Sequence, residues 1–98
     1  MSKSTKKIAI QIMEKLIDNP LAYLLNHNAH LHDCGGEPQF RFVYKKKWIA
    51  INCDKEGYTM LSIIEKRGVK TTIAFNSEKL SILMYEDIYI NGNVEDAA

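Results

Sequence analysis

The sequence predicts an α+β fold: two N-terminal helices followed by an antiparallel β-meander of four to five strands. Three observations carry this. Apolar residues recur at helical spacing before His27, and from Gln39 onward the spacing drops to two. Asp54-Lys55-Glu56-Gly57 and Lys66-Arg67-Gly68 then break the alternating segments at hairpin intervals. At 98 residues, with 46% hydrophobic and 26% charged residues, the chain is read as one domain over 1–98 with a thin but cooperative core.

The first helix is placed at about 4–18. Ile8, Ala9, Ile12, Met13, Leu16 and Ile17 make one apolar stripe, Gln11, Glu14, Lys15 and Asp18 lie opposite, and Ser4 serves as cap. Asp18-Asn19-Pro20 writes the stop, because proline disfavours helical geometry in the residue before it. Pro20 then opens a second helix, about 20–28, with Asn19 as its cap and Leu21, Leu24 and Leu25 on one side. The strands follow at about 39–45, 48–53, 58–65 and 69–75. Leu80, Ile82, Met84, Ile88 and Ile90 alternate, and Ile88-Tyr89-Ile90 is rich in β-formers, so 80–90 is read as a fifth strand. Leu80, Leu83, Met84 and Asp87 also fit a short helix capped by Ser77.

Between helices and strands lies a joint, His27-Asn28-Ala29-His30-Leu31-His32-Asp33-Cys34-Gly35-Gly36, which holds all 3 histidines and one of the 2 cysteines. His27, His30, His32 and Cys34 are borderline-metal ligand types, and an H-x-H step on an extended segment can chelate one ion, with Cys53 as a distant ligand. The spacing matches no finger or ribbon, and histidines at a helix end also serve its carbonyls, so metal is a secondary expectation and no cofactor is expected. Cys34 beside a histidine is the one nucleophile–base pair on offer. No paired carboxylates, phosphate loop or G-x-S-x-G accompany it, so an enzyme is not expected.

A net charge of +1 conceals an uneven distribution. Cations concentrate in the middle of the chain (Arg41, Lys45, Lys46, Lys47, Lys55, Lys66, Arg67, Lys70) and acids in its tail (Glu78, Glu86, Asp87, Glu95, Asp96). Met-Ser-Lys-Ser-Thr-Lys-Lys is followed by no apolar signal region and no membrane-length run, so the expected compartment is cytoplasmic, with reduced thiols and no membrane contact.

The strands carry more apolar surface than two helices can cover. Ile49, Ile51 and Cys53 oppose Trp48 and Ala50, and Leu61 and Ile63 oppose Tyr58, Met60 and Ile64. The second face therefore calls for closure of the sheet, a homodimer mate or a client. The leading expectation is a non-enzymatic protein-binding module or homodimer acting through Trp48, Tyr58, Met60 and Ile64, since Trp and Tyr most often anchor interfaces. In length and surplus apolar sheet the chain is similar to small accessory proteins that act by binding, such as inhibitors, immunity proteins and phage-encoded modulators. The alternative is nucleic-acid binding by the basic, aromatic hairpin 39–48. There Phe40, Phe42, Tyr44 and Trp48 interleave with Arg41, Lys45, Lys46 and Lys47, and Lys66 and Arg67 support them from the next turn.

Overall fold

The computed structural model describes residues 3–35, 37–86 and 94–95. Helices α1 (Lys3–Asp18) and α2 (Pro20–Asn26) precede strands β1 (His30–Cys34), β2 (Glu37–Tyr44), β3 (Lys47–Cys53), β4 (Tyr58–Ile64) and β5 (Lys70–Asn76). Helix α3 (Glu78–Tyr85) and the two-residue β6 (Val94–Glu95) follow. The sheet order is β5-β4-β3-β2-β1-β6, with β1 to β5 antiparallel and β6 parallel to β1. This is an α+β fold whose sheet, among the described residues, is open: β5 stands at one edge and β6 at the other.

One core holds the fold together. Ile8, Ala9, Ile12 and Leu16 of α1, Leu24 of α2, and Leu80, Leu83 and Met84 of α3 pack against one parity of the strands: Leu31, Phe40, Phe42, Ile49, Ile51, Leu61 and Ile63. All three helices thus lie on the same, inner face. Phe40, Ile51, Leu61 and Ile63 are fully shielded, the expected result for central strands under a helical layer.

Two parts of the chain depart from expectation. Residues 80–85, expected in a strand over 80–90, lie in α3, and 87–90 fall outside the described residues. The cause is Ser77. Its hydroxyl accepts the Leu80 N–H at 3.2 Å and donates to the Leu16 carbonyl at 2.9 Å, capping α3 while tying it to the end of α1. Leu80, Leu83 and Met84, at helical spacing, then reach the core together, which alternating side chains would not.

The second departure is the joint, which contributes a full strand. Helix α2 ends at Asn26 rather than 28 because Asn28 takes a left-handed φ of 55°. The Ala29 N–H then bonds Leu24 O at 2.9 Å and Asn28 N–H bonds Leu25 O at 3.2 Å, a Schellman closure. The chain leaves it extended, so His30–Cys34 pairs with β2 and buries Leu31 opposite Phe40.

Candidate functional site

Strand register sorts every candidate side chain to one face or the other. On the open face, away from the helices, Val43, Trp48, Ile64 and Lys70 stand side by side across β2–β5. The next rank is His30, Arg41, Ala50, Ser62 and Thr72, and the one below it His32, Gln39, Asn52, Met60 and Ala74. Trp48 is 58% exposed, Tyr58 50% and Met60 37%, so these expected contact residues project from an uncovered surface among the described residues, with Ile64 half-buried beside Trp48.

The face is not uniformly apolar. Gln39 Nε2 donates to Asn52 Oδ1 at 2.9 Å, and Arg41 Nε donates to Gln39 Oε1 at 2.5 Å, a polar seam through its middle. The apolar rank Val43–Trp48–Ile64 lies above this seam, Met60 stands at its end beside Asn52, and Tyr58 lies below it. Trp48 stands between two shallow concavities. One, of about 500 Å³, wraps the corner of the sheet and is lined by His27, His30, His32, Arg41, Val43 and Trp48. The other, of about 340 Å³, runs from Trp48 to Ile64 and Lys70, again with Arg41 in its wall. Trp48 thus borders both concavities.

The antiparallel order brings the two basic turns to the same end of the sheet. Lys45 and Lys46 connect β2 to β3, and Lys66 and Arg67 lie between β4 and β5, so both flank the Trp48 rank. Thr5 Oγ1 donates to Glu65 Oε2 at 2.9 Å, which fixes the start of α1, with exposed Lys6 and Lys7, at this end too. Glu65 is the acid found there among the described residues. The opposite end collects Glu37, Asp54, Glu56, Glu78 and Glu86 against Lys55 and Lys79, so the excess charge there is acidic and the molecule is electrostatically polarised along the strands.

The Lys45-Lys46 turn is built against the grain. A two-residue loop between paired Tyr44 and Lys47 needs left-handed backbone at both positions, and Lys45 and Lys46 have φ of 52° and 65°. Asn-Gly is the favoured pair for this geometry; lysines carry a Cβ that the left-handed region penalises. The Lys45 ammonium lies 5.4 Å from the Tyr44 ring centroid, a partial compensation.

Several expected site residues are placed elsewhere. Phe40, Phe42 and Tyr44 turn inward, so the interleaved aromatics of 39–48 reduce to Trp48 on the open face. Lys47 shares the parity of Ile49 and belongs to the helical side. Val43 joins the surface through the β2–β3 register, and Lys70, His30 and His32 through that of β5 and β1.

The His27 ring packs among aromatics, 4.3 Å from Tyr23, 5.6 Å from Phe42 and 5.3 Å from Tyr44 between centroids. Beside it, burial and the neighbouring Tyr44 push the Tyr23 hydroxyl up to about 12. Among the described residues no group of three or more His, Cys, Asp or Glu is gathered closely enough to hold a metal ion. Cys53 is buried on the inner face with a free thiol, so it is neither bridged to Cys34 nor placed to complete a histidine site. Its thiol donates to Asp54 O at 3.3 Å and accepts from Thr59 at 3.4 Å, and burial raises its pKa, the opposite of an activated nucleophile. No described helix is long and apolar enough to cross a membrane.

No family model matches the chain, and no curated protein and no solved structure matches it.

Proposed function

We propose that this protein is a non-enzymatic binding module whose ligand is a single-stranded nucleic acid, held across the basic end of the open sheet face. The observation that carries this reading is the convergence of the exposed Trp48 with two basic turns. The surface expected to bind protein and the hairpin expected to bind nucleic acid are, at this end, one surface. Bases stack on the indole while Arg41, Lys45, Lys46, Lys66, Arg67 and Lys70 follow the phosphates, a division of labour that suits flexible single strands. The strained lysine turn supports the same reading, since backbone strain at an exposed turn is retained where the side chains are needed.

Trp48 is the sole tryptophan, so its fluorescence reports directly on the site. A labelled single-stranded oligonucleotide is expected to quench it and to bind with affinity that falls steeply with salt. With these six cations engaged, the slope of log K against log salt is about −4. Trp48→Ala is expected to weaken binding about 5- to 150-fold, the range for loss of one stacked base. An absence of binding at low salt, or a Trp48→Ala variant of unchanged affinity, overturns the proposal.

A second reading, a protein partner or a second copy spread over the whole open face, is favoured by one observation. Met60, level with the polar seam, and Tyr58, below it, are exposed several residues along the strands from the Lys45–Lys46 and Lys66–Arg67 turns. Native mass spectrometry of protein purified at low salt from its own host separates the two, since the bound mass is nucleic acid in one case and polypeptide in the other. In the protein case, Tyr58→Ala and Met60→Ala weaken capture and added salt has little effect.

A further inference from the structure

We propose that the protein forms a two-fold dimer through β5, extending the sheet from one copy into the next. Among the described residues strand β5 pairs with β4 alone, and it runs Lys70–Asn76 with no proline or glycine to blunt its other edge. Its burial falls short of its neighbour's: Leu61 and Ile63 of β4 are 0% exposed, whereas Thr71, Ile73 and Phe75 of β5, on the same inner face, are only half-buried. The helical layer stops partway across the last strand.

Helix α1 tells the same story from above. It packs on both β4 and β5. One flank, Gln11 and Lys15, shares a concavity with Tyr23 and Tyr44 on the β2 side. The opposite flank, toward the β5 edge, carries Ile10 at 40% exposed, Ile17 at 44% exposed and Met13 half-buried between them, with exposed Lys6 at its N-terminal end. Isoleucines a helical repeat apart on the outer flank of a helix over an unpaired edge mark an unfinished interface.

The occupant that fits is a second copy, for two reasons. The first is charge. Antiparallel pairing of β5 with itself, centred on Ile73, sets Lys70 opposite the partner's Asn76, and Thr72 opposite the partner's Ala74. It lays the basic Lys66–Lys70 end of each copy beside the acidic end, with Glu78, of the other. The polarisation that would repel two copies side by side in parallel attracts them in this orientation. The second is spacing. With strands about 4.8 Å apart and α1 seated between β4 and β5, the two α1 axes come to about 10 Å, the separation at which helices pack through side chains of this size. Ile10, Met13 and Ile17 of both copies then close the gap that leaves Ile73 and Phe75 half-buried.

A charge swap tests this. Thr72 and Ala74 are exposed on the open face, so charges there leave the inner core intact. The wild-type protein is expected to weigh twice 11.2 kDa by light scattering. Thr72→Glu with Ala74→Glu sets like charges opposite one another twice across the axis and is expected to raise the dimer dissociation constant about 100-fold or more. Thr72→Lys with Ala74→Lys does the same, and a one-to-one mixture of the two variants restores the dimer. A second pair, Ile10→Lys with Ile17→Lys, dissociates the dimer from the helical side while keeping the circular dichroism of the parent. A monomeric wild type at the highest attainable concentration, a dimer indifferent to both double variants, or a mixture that stays monomeric each overturns the proposal.

Discussion

Replacing Lys45-Lys46 by Asn-Gly is expected to make the protein more stable and worse at its task. Both lysines sit in the left-handed region, at φ of 52° and 65°, where a residue with a Cβ pays roughly 1–2 kcal/mol. Glycine at 46 removes that cost but gives back roughly 0.5–1 kcal/mol of unfolded-chain entropy. Asparagine at 45 removes part of the cost through its tolerance of this backbone, and the contact of Lys45 with Tyr44, worth about 0.5 kcal/mol at an exposed site, is lost. The balance is a gain of about 1 kcal/mol, or about 4–8 °C in Tm for a chain of this length. Two phosphate partners disappear at the same time, so the slope of log K against log salt becomes shallower by about 1.4. Thermal melting by circular dichroism and a salt titration of oligonucleotide binding read the two effects separately. A variant that melts no higher than the parent refutes the strain argument; one that binds with unchanged affinity and salt slope refutes the role of the turn.

Ser77→Ala removes the cap of α3 and orphans the Leu16 carbonyl, with Ser77 itself 3% exposed, so a loss of about 2–3 kcal/mol is expected in urea unfolding. A change under about 0.5 kcal/mol would mean that water replaces both bonds. Gly57→Ala forces a Cβ to φ of 96° and to 3.2 Å from Ser77 O, and a drop in Tm of at least about 5 °C is expected, a cost near 1 kcal/mol. The raised pKa of Tyr23 implies that the unfolded chain loses this proton near pH 10 while the folded chain keeps it to about 12. Stability contributed by the neutral hydroxyl is therefore complete below pH 10 and lost as pH rises through 12, and Tyr23→Phe should flatten that alkaline decline in a pH series of melts.

Helix α1 and the meander were legible because each is written twice, once in periodicity and once in its stop signals. Asp18-Asn19-Pro20 closes α1, and Asp54 accepts the Glu56 and Tyr58 N–H groups at 2.9 and 3.0 Å, making the turn its sequence announces. Residues 80–85 were ambiguous because their apolar residues satisfy both periods. What decided between them was a buried hydrogen bond from Ser77 to Leu16, a partner 61 residues away. Strand β1 was hidden by composition: His30-Leu31-His32 has one apolar residue, and a strand with so little β-propensity forms only because β2 supplies the ladder and Phe40 the contact. The two-sidedness of β3 and β4 identified Trp48, Tyr58, Met60 and Ile64, but parity alone could not join them to the basic turns. That union needed the sheet order.

The net charge of +1 is therefore a poor guide to what this protein attracts. The basic and acidic ends of the sheet are separated by the length of a strand, about 20 Å, in a molecule 35 Å along its longest axis. At physiological salt the screening length is about 8 Å, so the field of one end has fallen to under about a tenth at the other. The two ends act as separate surfaces: the basic one keeps its attraction for a polyanion although the whole is nearly neutral. A direct consequence follows for paired neutralisations that change net charge by equal amounts. Measured below the dimer dissociation constant, where no partner's acidic end adjoins the basic one, Glu56→Gln with Glu86→Gln should leave oligonucleotide affinity within about twofold of the parent at physiological salt, because screening isolates it. Lys46→Gln with Lys66→Gln, at the basic end, should weaken binding at least about tenfold and flatten its salt slope. If both pairs shift affinity by equal and opposite amounts, net charge governs binding and the localised site is wrong; if only the second pair does, the ligand is reading the end of the sheet where Trp48 stands.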